Sequence, residues 1–347
     1  MTDSAHSTAF DAAGLAAADA DDEDVVAPPA VLEAVVPDSE AGQRLDKVLA
    51  ALFPQHSRSR LQQWCEAGLV RMGGQLAGVR DKARPGDVLQ VSVPALPEDT
   101  AFAAEDLPLN VVYEDPALLI VDKPAGLVVH PAAGNWSGTL LNGLLARYPE
   151  TAALPRAGIV HRLDKDTSGL LLTARTLQAQ TELVRLLQAR RIHRHYLALV
   201  WGEVASAFNV DAPIARHPRD RLRMAVVHGG KPARTDFTPL AVVQTRWGPL
   251  TALHCKLHSG RTHQIRVHLR ASRLDLVADA VYGGRARPGV SLPRQALHAA
   301  RLALRHPLTG ERLDHVAVIP ADIAAFWAEC GGRTEQIDPH AWPVSTD

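Results

Sequence analysis

Apolar positions recur with helical period early in the chain. Leu45, Val48, Leu49 and Leu52 fall at i, i+3, i+4 and i+7, which predicts a short amphipathic helix ending before Pro54. Ser57 or Ser59 suits the cap of a second helix carrying Leu61, Trp64 and Cys65 and stopped at Gly68. The period then changes. Val70-Arg71-Met72, a Gly73-Gly74 turn, a turn at Pro85-Gly86-Asp87 and the alternating run Val88 to Val93 read as strands. This helix–helix–strand unit over 42–93 is large enough to be a separate domain. Residues 94–108 are rich in proline and acid (Pro94, Pro97, Glu98, Asp99, Glu105, Asp106, Pro108) and read as a linker. From 109 to 330 strands alternate with helices. Leu118 to Val121, Leu170 to Ala174, Tyr196 to Val200 and Leu250 to Leu257 read as strands. Thr176 suits the cap of a helix with Leu177, Val184 and Leu187 on one face, and a further helix is expected from Thr262 through Ser272. Residues 331–347, with Gly331-Gly332, Pro339 and Pro343, read as a loose tail. No solenoid-type repeat is present.

Composition narrows the class. The 347 residues are 46% hydrophobic and 22% charged, ordinary for a globular protein and long enough for two domains. Collagen, a disulfide scaffold and a wholly disordered chain are excluded. Cys65, Cys255 and Cys330 lie far apart without a CxxC pair, which argues for a reducing compartment and against a cysteine-built zinc site. No apolar run approaches a membrane span, and the first residues lack the basic start and apolar core of a secretory signal. The expectation is a soluble, cytoplasmic protein with no membrane partner.

The net charge of −1 hides an asymmetry. Residues 1–30 hold seven acids and no Lys or Arg, with few bulky apolar side chains, so this segment is expected to be disordered. The other residues, 31–347, carry +6, with Arg outnumbering Lys 31 to 6. The 42–93 unit alone is net +4, and Arg58 and Arg60 stand at a helix start, where backbone N–H groups also favour phosphate. A solvated basic face explains the same charges, so charge only hints at nucleic acid.

Two clusters carry candidate chemistry. His161-Arg162-Leu163-Asp164-Lys165-Asp166-Thr167-Ser168-Gly169 is a loop feeding a strand. It offers a carboxylate between cationic neighbours, available as nucleophile or base, and a glycine for a tight turn. In His258-Ser259-Gly260-Arg261-Thr262-His263-Gln264-Ile265-Arg266-Val267-His268, Arg261 stands near a helix start and is well typed to pair with a carboxylate. Asp164 could equally be a turn or capping aspartate, and Arg261 a surface residue. The sixteen histidines lack HExxH or another ligand spacing, so no metal is expected. Asp164 and Asp166 are too close along one loop to straddle a sugar as a glycosidase pair. Walker, Rossmann and G-x-S-x-G patterns are absent. Nothing in these residues alone names a substrate.

The stretches Arg44-Leu45-Asp46-Lys47, Ser57-Arg58-Ser59-Arg60, Gly68-Leu69-Val70 and Pro85-Gly86-Asp87 resemble an S4 RNA-binding domain. The 161–169 cluster resembles the signature of the RluA-type pseudouridine synthases, and the resemblance runs over roughly 110–325. Its blocks, in order, are Val121 to Pro131, Gly138 to Asn142, Arg194 to Val200, Gly230 to Thr235, Gly260 to His268, Asp279 with Tyr282-Gly283-Gly284, and Ala296 to Ala299 with His306-Pro307. The S4 unit ahead of them is similar to the RluD-type branch. The resemblance implies an α+β fold: a small S4 domain, then a catalytic domain over 109–330 with a mixed, mainly antiparallel central sheet. It implies isomerisation of uridines to pseudouridine in RNA, 23S ribosomal RNA with a helix 69 type of target, or the assembling large subunit. It further implies Asp164 as the catalytic carboxylate, Tyr196 as the aromatic residue under the base, Arg261 as the arginine on that carboxylate, Arg162 as the group filling the gap of a flipped nucleotide, and Ile265 as apolar packing. Arg44, Arg58 and Arg60 would contact RNA. Ser259, Arg194 and Ala278 depart from the usual Thr, Lys and Gly, and none removes a catalytic group.

An isomerisation consumes nothing, so no cofactor or metal is expected. The base must leave the stack, which costs a few kcal/mol and calls for a wedge. The basic segments 185–194 and 216–223 are candidates for the RNA backbone. A monomer is expected. The alternatives are a synthase acting on transfer RNA and a non-catalytic RNA-binding ribosome-assembly factor.

Overall fold

Residues 31–93, 101–132, 134–284 and 287–343 are described in a computed structural model, so the disorder expected over 1–30 lies outside the described residues. The chain divides into two units, parted at Ala101 and Phe102.

The smaller unit contains β1 (Val31–Val35), α1 (Leu45–Leu52), α2 (Arg58–Glu66), β2 (Val70–Met72), β3 (Gln75–Leu76) and β4 (Val88–Ser92). Leu45, Val48 and Leu49 of α1 meet Leu61 and Trp64 of α2 over Val70, Leu89 and Val91, an apolar core formed by the predicted periodic positions. The Ser57 hydroxyl caps α2 by accepting from the Arg60 N–H. The four strands run in the order β1-β4-β2-β3, all antiparallel. Strand β1 begins the unit eleven residues before the sequence boundary at 42. Its pattern is weak because Val31 and Val35 both point to solvent, leaving only Leu32 and Ala34 against the core.

The larger unit is built on one twisted sheet. In chain order it contains β5 (Val111–Glu114), β6 (Leu118–Lys123), α3 (Leu140–Arg147), β7 (Ser168–Ala174), α4 (Leu177–Gln188), β8 (His193–Trp201), β9 (Phe208–Asp211), β10 (Ile214–Arg216), β11 (Met224–Val226), β12 (Arg234–Thr245), β13 (Gly248–Leu257), α5 (Gln264–Ala271), β14 (Asp275–Leu276), β15 (Leu297–Arg305), β16 (Arg312–Val316) and α6 (Ala321–Glu329). The strand order is β5-β6-β7-β15-β8-β13-β12-β9, with β14 on β8 and β16 on β15. Every pairing is antiparallel except that of β7 with β15, where His298 and Ala299 lie beside Ser168 and Gly169. The α+β class and mainly antiparallel sheet implied by the resemblance are therefore observed. Strands β10 and β11 form a separate hairpin.

Period-two alternation gives the sheet two cores. Along β8, Tyr196, Ala198 and Val200 face α3 and α5, while Leu197, Leu199 and Trp201 face α6. The cap predicted at Thr176 forms, its side chain accepting from the Ala179 N–H of α4.

Two boundaries differ from the sequence reading. The expected loose tail is ordered through 343: Ile337 and Trp342 are buried with Phe326 and Trp327, and Arg301 donates to the Pro339 and Trp342 carbonyls. Two well-placed apolar side chains outweigh the Gly and Pro signals. Part of the expected linker belongs to the larger unit, since the Asn142 amide donates to Ala103 O and Glu105 accepts from the Gly138 N–H.

Candidate active site

The loop 161–168 enters β7, and its shape is over-determined by side chains from distant parts of the chain. Lys123 is fully buried, and its ammonium donates to the carbonyls of Pro124, Leu127 and Lys165 at 2.8, 2.9 and 3.0 Å. Burial pulls its pKa down to about 8, against the opposing charge of Asp164. Arg294 donates to Asp166 O, and the Gln295 amide to the Thr167 hydroxyl. Gly169, at φ +112, closes the loop; a Cβ there would stand 2.2 Å from Ala299 O, so the parallel β7–β15 contact admits only glycine.

This frame holds Asp164 with one oxygen engaged. Its Oδ2 accepts from Arg266 at 3.0 Å. Arg266 is itself fixed by a two-pronged pair to Asp279, at 2.7 and 2.8 Å, and lies over the Tyr282 ring. Burial works against the charge of Arg266, but Asp279 and Asp164 outweigh it and hold its pKa above the usual arginine value. Burial likewise pushes the Asp279 carboxyl up, and Arg266 brings it below its ordinary value. The second oxygen of Asp164, Oδ1, faces His263 Nε2 at 3.9 Å, too far for a hydrogen bond.

The arginine expected on this carboxylate was Arg261, and here the structure corrects the sequence reading. Helix α5 starts at Gln264, later than the Thr262 expected, because His263 takes a left-handed backbone at φ 55. Arg261 therefore precedes the helix and donates through Nε to Pro232 O. Arg266, in the first turn, is the side chain that reaches Asp164. The usable signal was the helix start: with α5 begun at 264, the guanidinium on its inward face is that of 266.

The other expected residues divide. Tyr196 is 5% exposed and lies in the same core as Ile265 and Leu163, so the proposed base platform and its packing residue are together. Burial pushes the Tyr196 hydroxyl up to about 12, with Arg194 opposing and Asp164 adding to the shift, so it stays protonated at neutral pH. Arg194 is buried on the same strand, and its Nε makes no hydrogen bond. Arg162 is exposed beside Asp164 in the chain. Residues given no role in the site from the sequence are Lys123, Arg266, Asp279, Tyr282 and Arg294. Their roles depend on contacts across 13 to 128 positions, which no local pattern records.

In the smaller unit, Arg44 and Arg58 both point at the fully buried carboxyl of Asp46, with Gln62 as a further donor. Each arginine side chain remains about half exposed, 48% for Arg44 and 49% for Arg58. Arg60 stands in the first turn of α2. Among the described residues no three His, Cys, Asp or Glu side chains converge as a metal site, and no helix is long and apolar enough to cross a membrane.

The chain as a whole has counterparts among known proteins. A profile for RNA pseudouridylate synthase matches residues 117–271, and one for the S4 domain matches residues 43–89. The chain belongs to the RNA pseudouridylate synthase family, and it is an isomerase. It is 51% identical over 306 residues to ribosomal large subunit pseudouridine synthase D of Xanthomonas campestris, covering 84% of this chain and 90% of that protein. It is 50% identical over 302 residues to the protein of the same name from Nitrosomonas europaea, covering 85% and 86%. Among solved structures, human RNA pseudouridylate synthase domain containing 1 aligns with a TM-score of 0.52 at 26% identity, over 64% of this chain and 89% of that one.

Proposed function

We propose that this enzyme converts specific uridines of large-subunit ribosomal RNA to pseudouridine, in the helix 69 region of 23S rRNA, with Asp164 as the essential carboxylate. The observation that carries the reading is the half-held carboxylate: Oδ2 is fixed by Arg266 and Oδ1 is open. The names of the relatives support the choice of ribosomal RNA, and the S4 unit supports a structured RNA substrate.

The reaction breaks the C1′–N1 bond, turns the uracil, and joins C5 to C1′. Arg266 keeps Asp164 aimed at the ribose and base without donating a proton away. Tyr196 supplies a flat face on which the detached uracil turns, and its protonated hydroxyl is placed to take part in the C5 proton exchange. Arg162 fills the stack vacated by the flipped nucleotide. Ile265 supports the base platform. The arginine-bearing hairpin tip (Arg216, Arg219, Arg221, Arg223), with Leu222 at 86% exposure, grips RNA, as do Arg44, Arg58 and Arg60. The enzyme acts as a monomer in the cytoplasm and needs no cofactor.

The test is to map pseudouridines in large-subunit rRNA by carbodiimide-blocked primer extension. A deletion strain is compared with strains complemented by wild type or by Asp164→Asn. Specific marks should vanish in the deletion and return only with wild type. Marks that persist in the deletion would remove ribosomal RNA as the substrate and leave transfer RNA; marks restored by Asp164→Asn would remove Asp164 from the chemistry.

A further inference from the structure

The open oxygen of Asp164 faces the end of a polar chain that begins in the RNA-gripping hairpin. The Met224 N–H, in β11, donates to the Tyr282 hydroxyl at 2.8 Å. That hydroxyl lies 2.7 Å from His263 Nδ1. With the Met224 N–H on the phenol oxygen, the phenol proton is free to be directed at Nδ1. Nδ1 is then the acceptor, and the ring proton of neutral His263 sits on Nε2, the atom 3.9 Å from Asp164 Oδ1. The chain is rigidly seated. Tyr282 is 7% exposed and packs with Ile214 of β10, Ala233 and Val267 of α5, with Met224 against the same cluster. His263 holds a left-handed backbone, an arrangement that non-glycine residues keep only where the surroundings enforce it.

From this geometry we infer that His263 is a positioning residue: when RNA seats on the β10–β11 hairpin, Met224 and Tyr282 set the imidazole so that Nε2–H closes on Asp164 Oδ1, and the carboxylate becomes held at both oxygens. No proton is transferred. The free enzyme keeps the longer distance, as catalytic hydrogen bonds in substrate-free sites often do. The device ties the loading of the hairpin to the aim of the carboxylate, so that RNA seated without hairpin contact meets a poorly aimed Asp164. It goes beyond the synthase reading and rests on it.

The experiment measures single-turnover conversion, and separately affinity, on a transcript of the 23S rRNA helix 69 region. Wild type must form pseudouridine there; if it does not, the substrate reading fails and the transcript is replaced. Asn tolerates the left-handed backbone, so His263→Asn keeps the fold while its shorter side chain cannot reach Oδ1. It should slow conversion by about 10- to 100-fold, the scale of a misaimed catalytic group, with RNA affinity within about twofold. His263→Gln, whose amide reaches as far as Nε2, should recover most of the rate. Tyr282→Phe should slow conversion in the same way, and the double variant Tyr282→Phe/His263→Asn should be no slower than His263→Asn alone. Unchanged rates, weakened RNA binding at an unchanged rate, no recovery with Gln, or additive effects in the double variant would each overturn the inference.

Discussion

At the scale of single residues, the site rests on which arginine holds Asp164. Arg266 serves two carboxylates with one planar fork, and a lysine cannot reproduce that geometry. Arg266→Lys should lower kcat by about 100-fold or more, the range seen when a preorganised donor is lost. Arg261→Ala, whose side chain holds the Pro232 carbonyl and not Asp164, should cost less than about tenfold. Parallel kinetics on one RNA transcript check the pair, and equal losses would return Arg261 to the site. Asp164 stood out from its own local string, and Tyr196 entered only with the resemblance. The sequence did not separate Arg261 from Arg266, five positions apart in one string, because the choice turns on a left-handed residue between them, and a histidine gives no local sign of that conformation.

At the scale of elements, the smaller unit shows a carboxylate acting as a hinge pin. Asp46 on α1 is buried and draws Arg58 and Gln62 of α2 onto itself, together with Arg44 ahead of α1. The Arg58 hydrogen bond is the main cause holding its carboxyl well below the ordinary value of 3.8; burial opposes it, and Gln62 and Arg44 add to it. A depressed carboxylate pKa contributes stability above the unfolded value that is lost as pH falls below it. Asp46→Asn should therefore destabilise the unit by about 1–3 kcal/mol at pH 7, the cost of losing charge-assisted hydrogen bonds. The gap from wild type should narrow at pH 3, below the unfolded value of 3.8, and close only as pH falls through the depressed folded value. Urea unfolding at both pH values, followed by tryptophan fluorescence, reads this directly, and an equal gap at both would contradict it. Helices α1 and α2 were legible because their apolar faces keep one period and Ser57 caps the second. Strand β1 and the turns after Gly332 were not, because both are held by partners far away in the chain.

At the scale of the whole molecule, the larger unit carries histidines where no charge can be accommodated. His195 and His298 are fully buried and His254 nearly so; His195 and His254 meet at 2.7 Å, and Trp342 stacks on His254. Burial pushes their pKa values down to about 3, about 3 and about 4 for His195, His298 and His254. The unfolded chain takes up protons below the ordinary 6.5 and the folded one does not, so stability is full above that pH and falls below it. Each group contributes about 1.4 kcal/mol per pH unit in that window. Tm should drop steeply between pH 6.5 and pH 5, and a flat profile there would contradict the burial of neutral rings. The order of the strands could not be read from the sequence, since β8 joins β15 across roughly 100 residues and β13 across roughly 50. Only the resemblance supplied a sheet. The single parallel contact, β7 with β15, also sets a schedule. During synthesis Asp164, Tyr196, Arg266 and Asp279 all leave the ribosome before Arg294, Gln295 and Ala299, which with Lys123 fix the 161–168 loop. A nascent chain thus displays Asp164, Tyr196, Arg266 and Asp279 before the 161–168 loop has all of its partners, so that loop takes its final shape only once most of the chain has been made.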